Sequence, residues 1–491
     1  MSYIKKYLAF VIKPEWLFLI ITLIVGSCFA ILVPAGAGAD EPNHIARVES
    51  LARGNIVADR IPDREGYTSP LDKEKKDAQL YGGVVDSSLM DVAWSNMYGF
   101  HGSKYEGGQS IYSFPTWNTP KVISDATIGK SEHVEAFSNT AVNSPVVYIP
   151  YIVGYYIGTL FTNNAYAIII VMRLFGLLCY SIIVFLCIRF IPVGKWVIAT
   201  VALIPAVYVF LSCVTADTMT FAMCLAFVAT VLHCSVCNRE LTRREWILLA
   251  IVTVSMALVK LSYLPMLMLL ALIPLLNSSM RNRSMMLRGV ALAGITCVVF
   301  LGWYSIISCV NTGAMFNVGA SPTLQKEIIF SDPLRFLKLL FKQFAEQNYF
   351  SLGIFGTLDL HSHNNYSGWC TILAICISFL LRDEREIGIN VSTKYRVYTI
   401  CLLLISFTAV FVLVETALYL QFSAVGASDI AGVQTRYFLP ILPLLLFPLI
   451  VGRPGATVKE KDNVMLGMMC GVQVMSALFA AYVLYTTLYT L

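Results

Sequence analysis

The chain has 491 residues, 57% of them hydrophobic and 13% charged, against roughly 25% charged in an ordinary soluble domain. A water-soluble core of this size cannot hide so much apolar surface. That excludes a soluble enzyme, a secreted disulfide scaffold, a disordered chain and a coiled coil, and leaves a polytopic membrane protein. The net charge of +5 is modest. No basic stretch is interleaved with aromatics, so no nucleic-acid partner is expected.

Residues 1–33 form an N-terminal tail and a first apolar run, 16–33. Lys5, Lys6 and Lys13 precede it and place the N-terminus in the cytoplasm. Ala35-Gly36-Ala37 is like a signal-peptidase site. The run is longer than that of a signal peptide and many spans follow, which favours an anchor over a cleaved leader.

Residues 34–164 read as a large extracytoplasmic loop with juxtamembrane or re-entrant helices. Residues 34–144 hold half of the chain's 30 acidic residues. They also hold Tyr67, Tyr81, Trp94, Tyr98, Tyr105, Tyr112 and Trp117, aromatics that suit either a folded, solvated cap or a surface for sugar rings. The sharpest motif is Asp40-Glu41-Pro42-Asn43-His44. A carboxylate there can take a proton from an attacking hydroxyl; the alternative is that Asp-Glu-Pro only caps a helix over 43–52. Residues 145–161, rich in Pro, Tyr and Gly, suit an interfacial or re-entrant helix.

Residues 165–310 carry apolar runs at 165–188, 196–213, 218–237, 246–259, 262–276 and 287–310. Between them lie cations, among them Arg189, Lys195, Arg239, Arg243, Arg244, Arg281, Arg283 and Arg288, expected in the cytoplasm. The runs 246–259 and 262–276 read as a tight hairpin with Lys260 at its outer tip.

Residues 311–368 form a second extracytoplasmic segment. Asp332-Pro333 is a good helix start. Leu334, Leu337, Phe341 and Phe344 then recur at helical spacing, with Arg335, Lys338 and Lys342 on the other side, as in a helix lying in the interface plane. Asp359, His361 and His363 are weakly spaced for a metal and read as a polar loop. Residues 369–491 add spans at 369–381, 397–421, 437–451 and 464–484. The total is about 11 transmembrane helices, N-terminus in and C-terminus out.

Most of the thirteen cysteines sit inside apolar runs, as Cys179, Cys187, Cys224 and Cys297 do, and serve as small lipid-compatible residues. Charges near or inside apolar runs are costly and therefore functional candidates. These are Arg173, Asp217, Lys260, Glu415 and Arg436, all assigned to the outer halves of their helices. Five of the six histidines also map outside, His233 being the exception. A channel would string such groups through the membrane; this chain gathers them at one depth.

Several motifs together resemble a bacterial polytopic membrane family of unknown function that is similar to C-type (GT-C fold) glycosyltransferases. They are Asp40-Glu41-Pro42-x-His44, Asn143-Ser144-Pro145-x-x-Tyr148, Thr215-Ala216-Asp217, Lys260-Leu261-Ser262-Tyr263-Leu264-Pro265, Phe355-Gly356-Thr357-Leu358-Asp359 and Val433-Gln434-Thr435-Arg436-Tyr437-Phe438-Leu439-Pro440. The usual Gly before the Arg of the last motif is Thr435 here. The resemblance implies an all-α GT-C-like fold in the bacterial plasma membrane. It implies a polyprenyl-phosphate-linked sugar donor and a glycan or glycolipid acceptor, with the active site on the extracytoplasmic face. The acidic residue that acts in that superfamily as base, or positions the acceptor, maps to Asp40, taken here as the base; Glu41 beside it is a second catalytic candidate from the residues alone. Lys260 and Arg436 match the family's phosphate-binding cations, with His44, Asp217, Tyr263 and Arg173 as further substrate-binding candidates. Some members of that superfamily use a divalent metal and others none; no convincing ligand set is seen here, so metal-free transfer is expected. Competing readings are a polysaccharide polymerase or ligase, a transporter or flippase for lipid-linked sugars, and a non-catalytic scaffold.

Overall fold

The computed structural model describes residues 13–61, 80–101, 104–105, 109–110, 126–308, 310, 320–346, 366–387, 392–451 and 463–489. Lipid gives a backbone no hydrogen-bond partner, so apolar runs satisfy their own N–H and C=O groups as helices. The chain starts with α1 (Pro14–Leu32), with proline in its first turn, where the missing N–H costs nothing. A glycine-rich loop leads to α2 (Glu41–Ala52). Then come β1 (Asp59–Ile61), β2 (Leu80–Asp86), α3 (Ser87–His101), β3 (Lys104–Tyr105), β4 (Gln109–Ser110), β5 (Glu132–Ala136) and α4 (Ser138–Ala141). A 3-10 turn (Pro145–Tyr148) opens α5 (Ile149–Phe161), followed by α6 (Ala165–Phe190), α7 (Lys195–Ala202), α8 (Pro205–Leu211), α9 (Ala216–Val236) and α10 (Arg243–Val259). A long 3-10 segment (Leu261–Ala271) passes into α11 (Leu272–Leu276) and α12 (Arg283–Ile307). The remainder is α13 (Pro322–Ser331), α14 (Pro333–Glu346), α15 (Tyr366–Leu380), α16 (Thr393–Gln421), a 3-10 turn (Thr435–Tyr437), α17 (Leu442–Val451) and α18 (Asn463–Tyr489).

The protein is a mostly helical membrane protein. Among the described residues, α1, α6, α9, α12, α16 and α18 are long and apolar enough to cross a bilayer. Shorter apolar helical segments lie at Pro145–Phe161, Leu261–Leu276, Gly368–Leu380 and Thr435–Val451. The expected count of about 11 is therefore finer than helix length supports. The run 196–213 is not one continuous helix. Pro205 has no N–H to continue the ladder, and Ile204 before it is extended, so the run breaks into α7 and α8. Every residue of both short helices is buried, which makes them the inner wall of the bundle rather than a lipid-facing rod. The hairpin 246–276 forms as expected, except that its second limb, with Pro265 inside it, is 3-10 over most of its length.

Segment 34–144 is not purely helical. Strands β1, β2 and β5 form an antiparallel sheet in the order β1-β2-β5, with Arg60 opposite Tyr81 and Val85 opposite His133. Gly82 lets the strands close up, because a Cβ there would lie 1.8 Å from the Glu135 carbonyl oxygen. Together with α2, α3 and α4 the sheet makes a cap. Its core, including Ile45, Val85, Leu89 and Phe137, is continuous with Ile168 and Met172 of α6 and Met219 of α9. Inside the cap, the buried Glu49 carboxylate accepts from the Asp86 N–H at 3.0 Å and from Arg53 at 2.6 Å; burial pushes its pKa up. His133 bonds Glu135 at 2.8 Å and Ser87 at 3.1 Å, and the Glu135 bond raises the imidazole pKa.

The charged groups sort the bundle into two poles. At one pole lie the end of α1, the start of α6 and the start of α9, tied together by Arg173 and Glu41. At the other, Arg385 bridges Glu15 at 2.5 Å and Asp383 at 2.6 Å, and Glu386 accepts from the Lys195 backbone N–H. Arg239 pairs with Glu245 at 2.7 Å, and Arg281 lies 4.5 Å from the Tyr395 ring centroid. The helix expected to start at Asp332-Pro333 forms as α14. Leu334, Leu337, Phe341 and Phe344 are exposed along it, whereas Leu339 and Leu340 are buried. The Asp332 carboxylate caps it through the Arg335 N–H at 3.0 Å.

Candidate functional site

The site is built where α1 hands over to α2. Arg173, on α6, uses all five guanidinium hydrogens. It donates to the carbonyls of Ala30, Val33 and Pro34 at 3.0, 2.5 and 2.8 Å, and to the two Glu41 oxygens at 2.8 and 2.6 Å. Carbonyls at a helix C-terminus lack intrahelical partners, and this guanidinium supplies them for α1. Glu41 accepts in addition from the N–H groups of Gly36, Gly38 and Val214 at 2.9, 3.0 and 2.8 Å. Both side chains are fully buried. Gly36 has φ +94°, and a Cβ there would sit 2.1 Å from the Ala93 carbonyl oxygen; a Cβ on Gly38 would lie 2.3 Å from Cys213 Cβ. The small residues of the loop are what let it fold into this knot.

The knot holds Asp40 in a left-handed conformation, φ 58° and ψ 13°, which costs a non-glycine residue about 1–2 kcal/mol. Asp40 occupies the N-cap position of α2 but makes no capping bond, so the capping role does not account for its carboxylate. That carboxylate is 39% exposed and meets Arg436 Nη2 at 3.3 Å. Arg436 Nη1 reaches Asp217 at 3.4 Å, and the two side chains are only 7% and 12% exposed. Asp217 lies in the first turn of α9, behind the N-cap Thr215, where a carboxylate is favoured by the helix dipole. Its other oxygen faces Lys260 Nζ at 3.8 Å, and Lys260 is 36% exposed. Lys260, at the end of α10, also lies 4.3 Å from the centroid of the Tyr437 ring, within cation–π range. Tyr263 is buried and donates to the Tyr437 carbonyl at 2.8 Å. Among the described residues, the Arg436 Nε has no hydrogen-bond partner.

His44 stands one turn beyond Asp40, its N–H bonded to the Asp40 carbonyl at 3.1 Å. Its Nδ1 lies 2.7 Å from the Tyr148 hydroxyl, which accepts from Asn143 Nδ2 at 3.1 Å. Burial pushes the imidazole pKa down to about 4, the nearby Asp40 and Asp217 opposing it only in part. The ring is therefore neutral at physiological pH.

Asp40, His44, Asp217, Lys260 and Arg436 thus come together, with Tyr263 behind them. Glu41 and Arg173 do not open onto the cluster. They saturate each other and the surrounding backbone, which leaves Glu41 no free oxygen for a proton in flight and Arg173 no free N–H for a phosphate. Adjacent carboxylates in sequence have separate surroundings here, one at the mouth and one in the framework. Glu415 is buried within α16. Asp359, His361 and His363 lie outside the described residues, as do Phe355 to Leu358 of the matching motif. Among the described residues, no group of three or more His, Cys, Asp or Glu side chains could hold a metal ion. Asn143, Tyr148 and Tyr437 belong to the motifs but carry no charge at neutral pH, so the cost of charge in lipid does not single them out.

Residues 23–445 match the family described as "Predicted membrane protein (DUF2142)". The chain belongs to that family. No curated protein matches the chain, and no solved structure does.

Proposed function

We propose that this member of the family is a membrane glycosyltransferase. It moves a sugar from a polyprenyl-phosphate-linked donor to a cell-surface glycan or glycolipid, at the extracytoplasmic face of a bacterial plasma membrane. The observation that carries the reading is the meeting of Asp40, Asp217, Lys260 and Arg436, drawn from four distant parts of the chain, around one exposed carboxylate in a strained backbone conformation. Strain of this kind persists where the surroundings enforce it, and it clusters at functional positions.

In this reading an acceptor oxygen attacks the anomeric carbon and its proton passes to Asp40. The bond from that carbon to the phosphate oxygen breaks, and the phosphate leaves on its lipid carrier. The more exposed cation, Lys260, meets the incoming phosphate first. Arg436, whose contacts to the two aspartates are long, turns an Nη toward the leaving oxygen as charge develops there. A single displacement inverts the anomeric centre. Charge supports the choice of face. The site lies at the pole opposite Lys195, Arg239, Arg281 and Arg385, and cations favour the cytoplasmic side.

The test is transfer by purified protein in lipid nanodiscs, given a panel of labelled polyprenyl-phosphate sugars and cell-envelope extract as acceptor. Wild type should transfer, and Asp40→Asn should lose at least about a hundredfold in rate, the scale of a missing general base, with its folding unchanged. Full activity in Asp40→Asn would remove Asp40 from the chemistry. Turnover only of a diphosphate-linked oligosaccharide would move the assignment to a polymerase or ligase.

A further inference from the structure

The tautomer of His44 is set by the protein. Tyr148 has a single hydroxyl proton and lies between two partners. Its oxygen accepts the Asn143 amide hydrogen at 3.1 Å; among the described residues His44 Nδ1, at 2.7 Å, is the hydroxyl's other partner, and a buried hydroxyl proton needs an acceptor, which directs it to Nδ1. A neutral imidazole has one acceptor nitrogen and one donor nitrogen. With Nδ1 accepting, the hydrogen resides on Nε2. Tyr148 is fully buried and His44 only 6% exposed, so the relay is sheltered from water. Among the described residues Nε2 has no hydrogen-bond partner, and it is not among the sealed-off unpartnered atoms. The charges acting on the ring are Asp40 at the N-cap of its helix, Glu41 within it, Asp217 from α9 and Arg436 from the turn before α17.

The His44 N–H bonds the Asp40 carbonyl one turn back, and the Asp40 charge acts on the His44 ring, so the two side chains are neighbours. The two together offer a neutral N–H donor near an exposed carboxylate. The pair complements an uncharged hydroxyl, which can accept from one and donate to the other. It does not complement a phosphate, for which Lys260 and Arg436 supply the positive charge. We infer that His44 is a positioning residue for the acceptor, holding a sugar hydroxyl through Nε2–H so that the hydroxyl proton points at Asp40. Assigning that hydroxyl to an acceptor rests on the transferase reading above.

Two measurements on the full-length protein in nanodiscs test this. The first is solid-state NMR with ¹⁵N-labelled histidine, the His44 signals being identified by their loss in His44→Gln. The expected spectrum is a neutral ring with Nε2 protonated, unchanged between pH 8 and pH 5, and an Nδ1–H population emerging in Tyr148→Phe. An imidazolium at pH 7, or an Nδ1–H ring in the wild type, overturns the inference. The second is the kinetic split. His44→Ala should raise the acceptor KM about tenfold, the scale of one hydrogen bond, and leave the donor KM in place. His44→Gln, which keeps an N–H donor, should recover most of the loss. A rise confined to the donor KM overturns the inference. A wild type with the expected NMR signature but no transfer from any donor refutes the transferase reading, and with it the acceptor role. An active wild type with the wrong tautomer refutes the His44 assignment alone.

Discussion

Replacing Arg173 by Met should unfasten the frame of the site. Arg173 and Glu41 are fully buried, and the five N–H donations from the guanidinium go two to Glu41 and three to the carbonyls of Ala30, Val33 and Pro34 where α1 ends. Removing the cation strands a buried carboxylate and takes a donor from each of those carbonyls. Breaking a buried pair from one side costs about 3–5 kcal/mol. Glu41→Gln should cost a similar amount, because one oxygen that accepts from Arg173 becomes a donor. The double variant should cost less than the two singles together, by about 2–3 kcal/mol, since each single already removes the shared interaction. The assay is reversible unfolding of the four proteins in detergent, followed by tryptophan fluorescence. Single substitutions each below about 1 kcal/mol, and additive in the double, would refute the reading of this pair as the framework beneath Asp40.

Other perturbations separate frame from chemistry. Gly36→Ala combines a left-handed backbone with a Cβ placed 2.1 Å from a carbonyl oxygen; a stability loss of about 2 kcal/mol or more is expected in the same unfolding assay. The two buried-side histidines should respond to pH with opposite signs. His44 has a folded pKa of about 4, below its ordinary 6.5. Its contribution is therefore present above pH 6.5 and is lost as pH falls toward 4, by about 3 kcal/mol at the most. The folded pKa of His133 is raised by Glu135, so its contribution is full below pH 6.5 and fades as pH rises through the folded value. Unfolding free energies across pH 4–8 for His44→Gln and His133→Gln should lose slopes of opposite sign.

Much of the design was open to a sequence reader. A bilayer demands long apolar helices, and α1, α6, α9, α12 and α16 fall where the apolar runs are. A charge inside such a run is expensive, which is why Asp217, Lys260 and Arg436 stood out before any contact was known. The expected start of α14 at Asp332-Pro333 also followed from local chemistry, since a cap needs only its own next turn.

Other features needed the third dimension. Asp40 and Glu41 are both acidic and adjacent, and nothing local tells the open one from the sealed one. Asp40 stands before α2 in a left-handed conformation and Glu41 opens the helix, so one faced the mouth and the other met Arg173, 132 positions away. The strands of the cap are too short, and too rich in glycine, to show an alternating pattern, and they form because β2 finds β5 across about 45 residues. The Asn143–Tyr148–His44 relay bears no net charge, and the direction of its protons is decided by which groups burial places within hydrogen-bond reach. Sequence by itself determined the solvent, the helices and the charged groups that lipid makes costly. Tertiary structure alone decided which charges neutralise one another inside the frame and which remain at the opening, because that partition depends on distances between residues hundreds of positions apart.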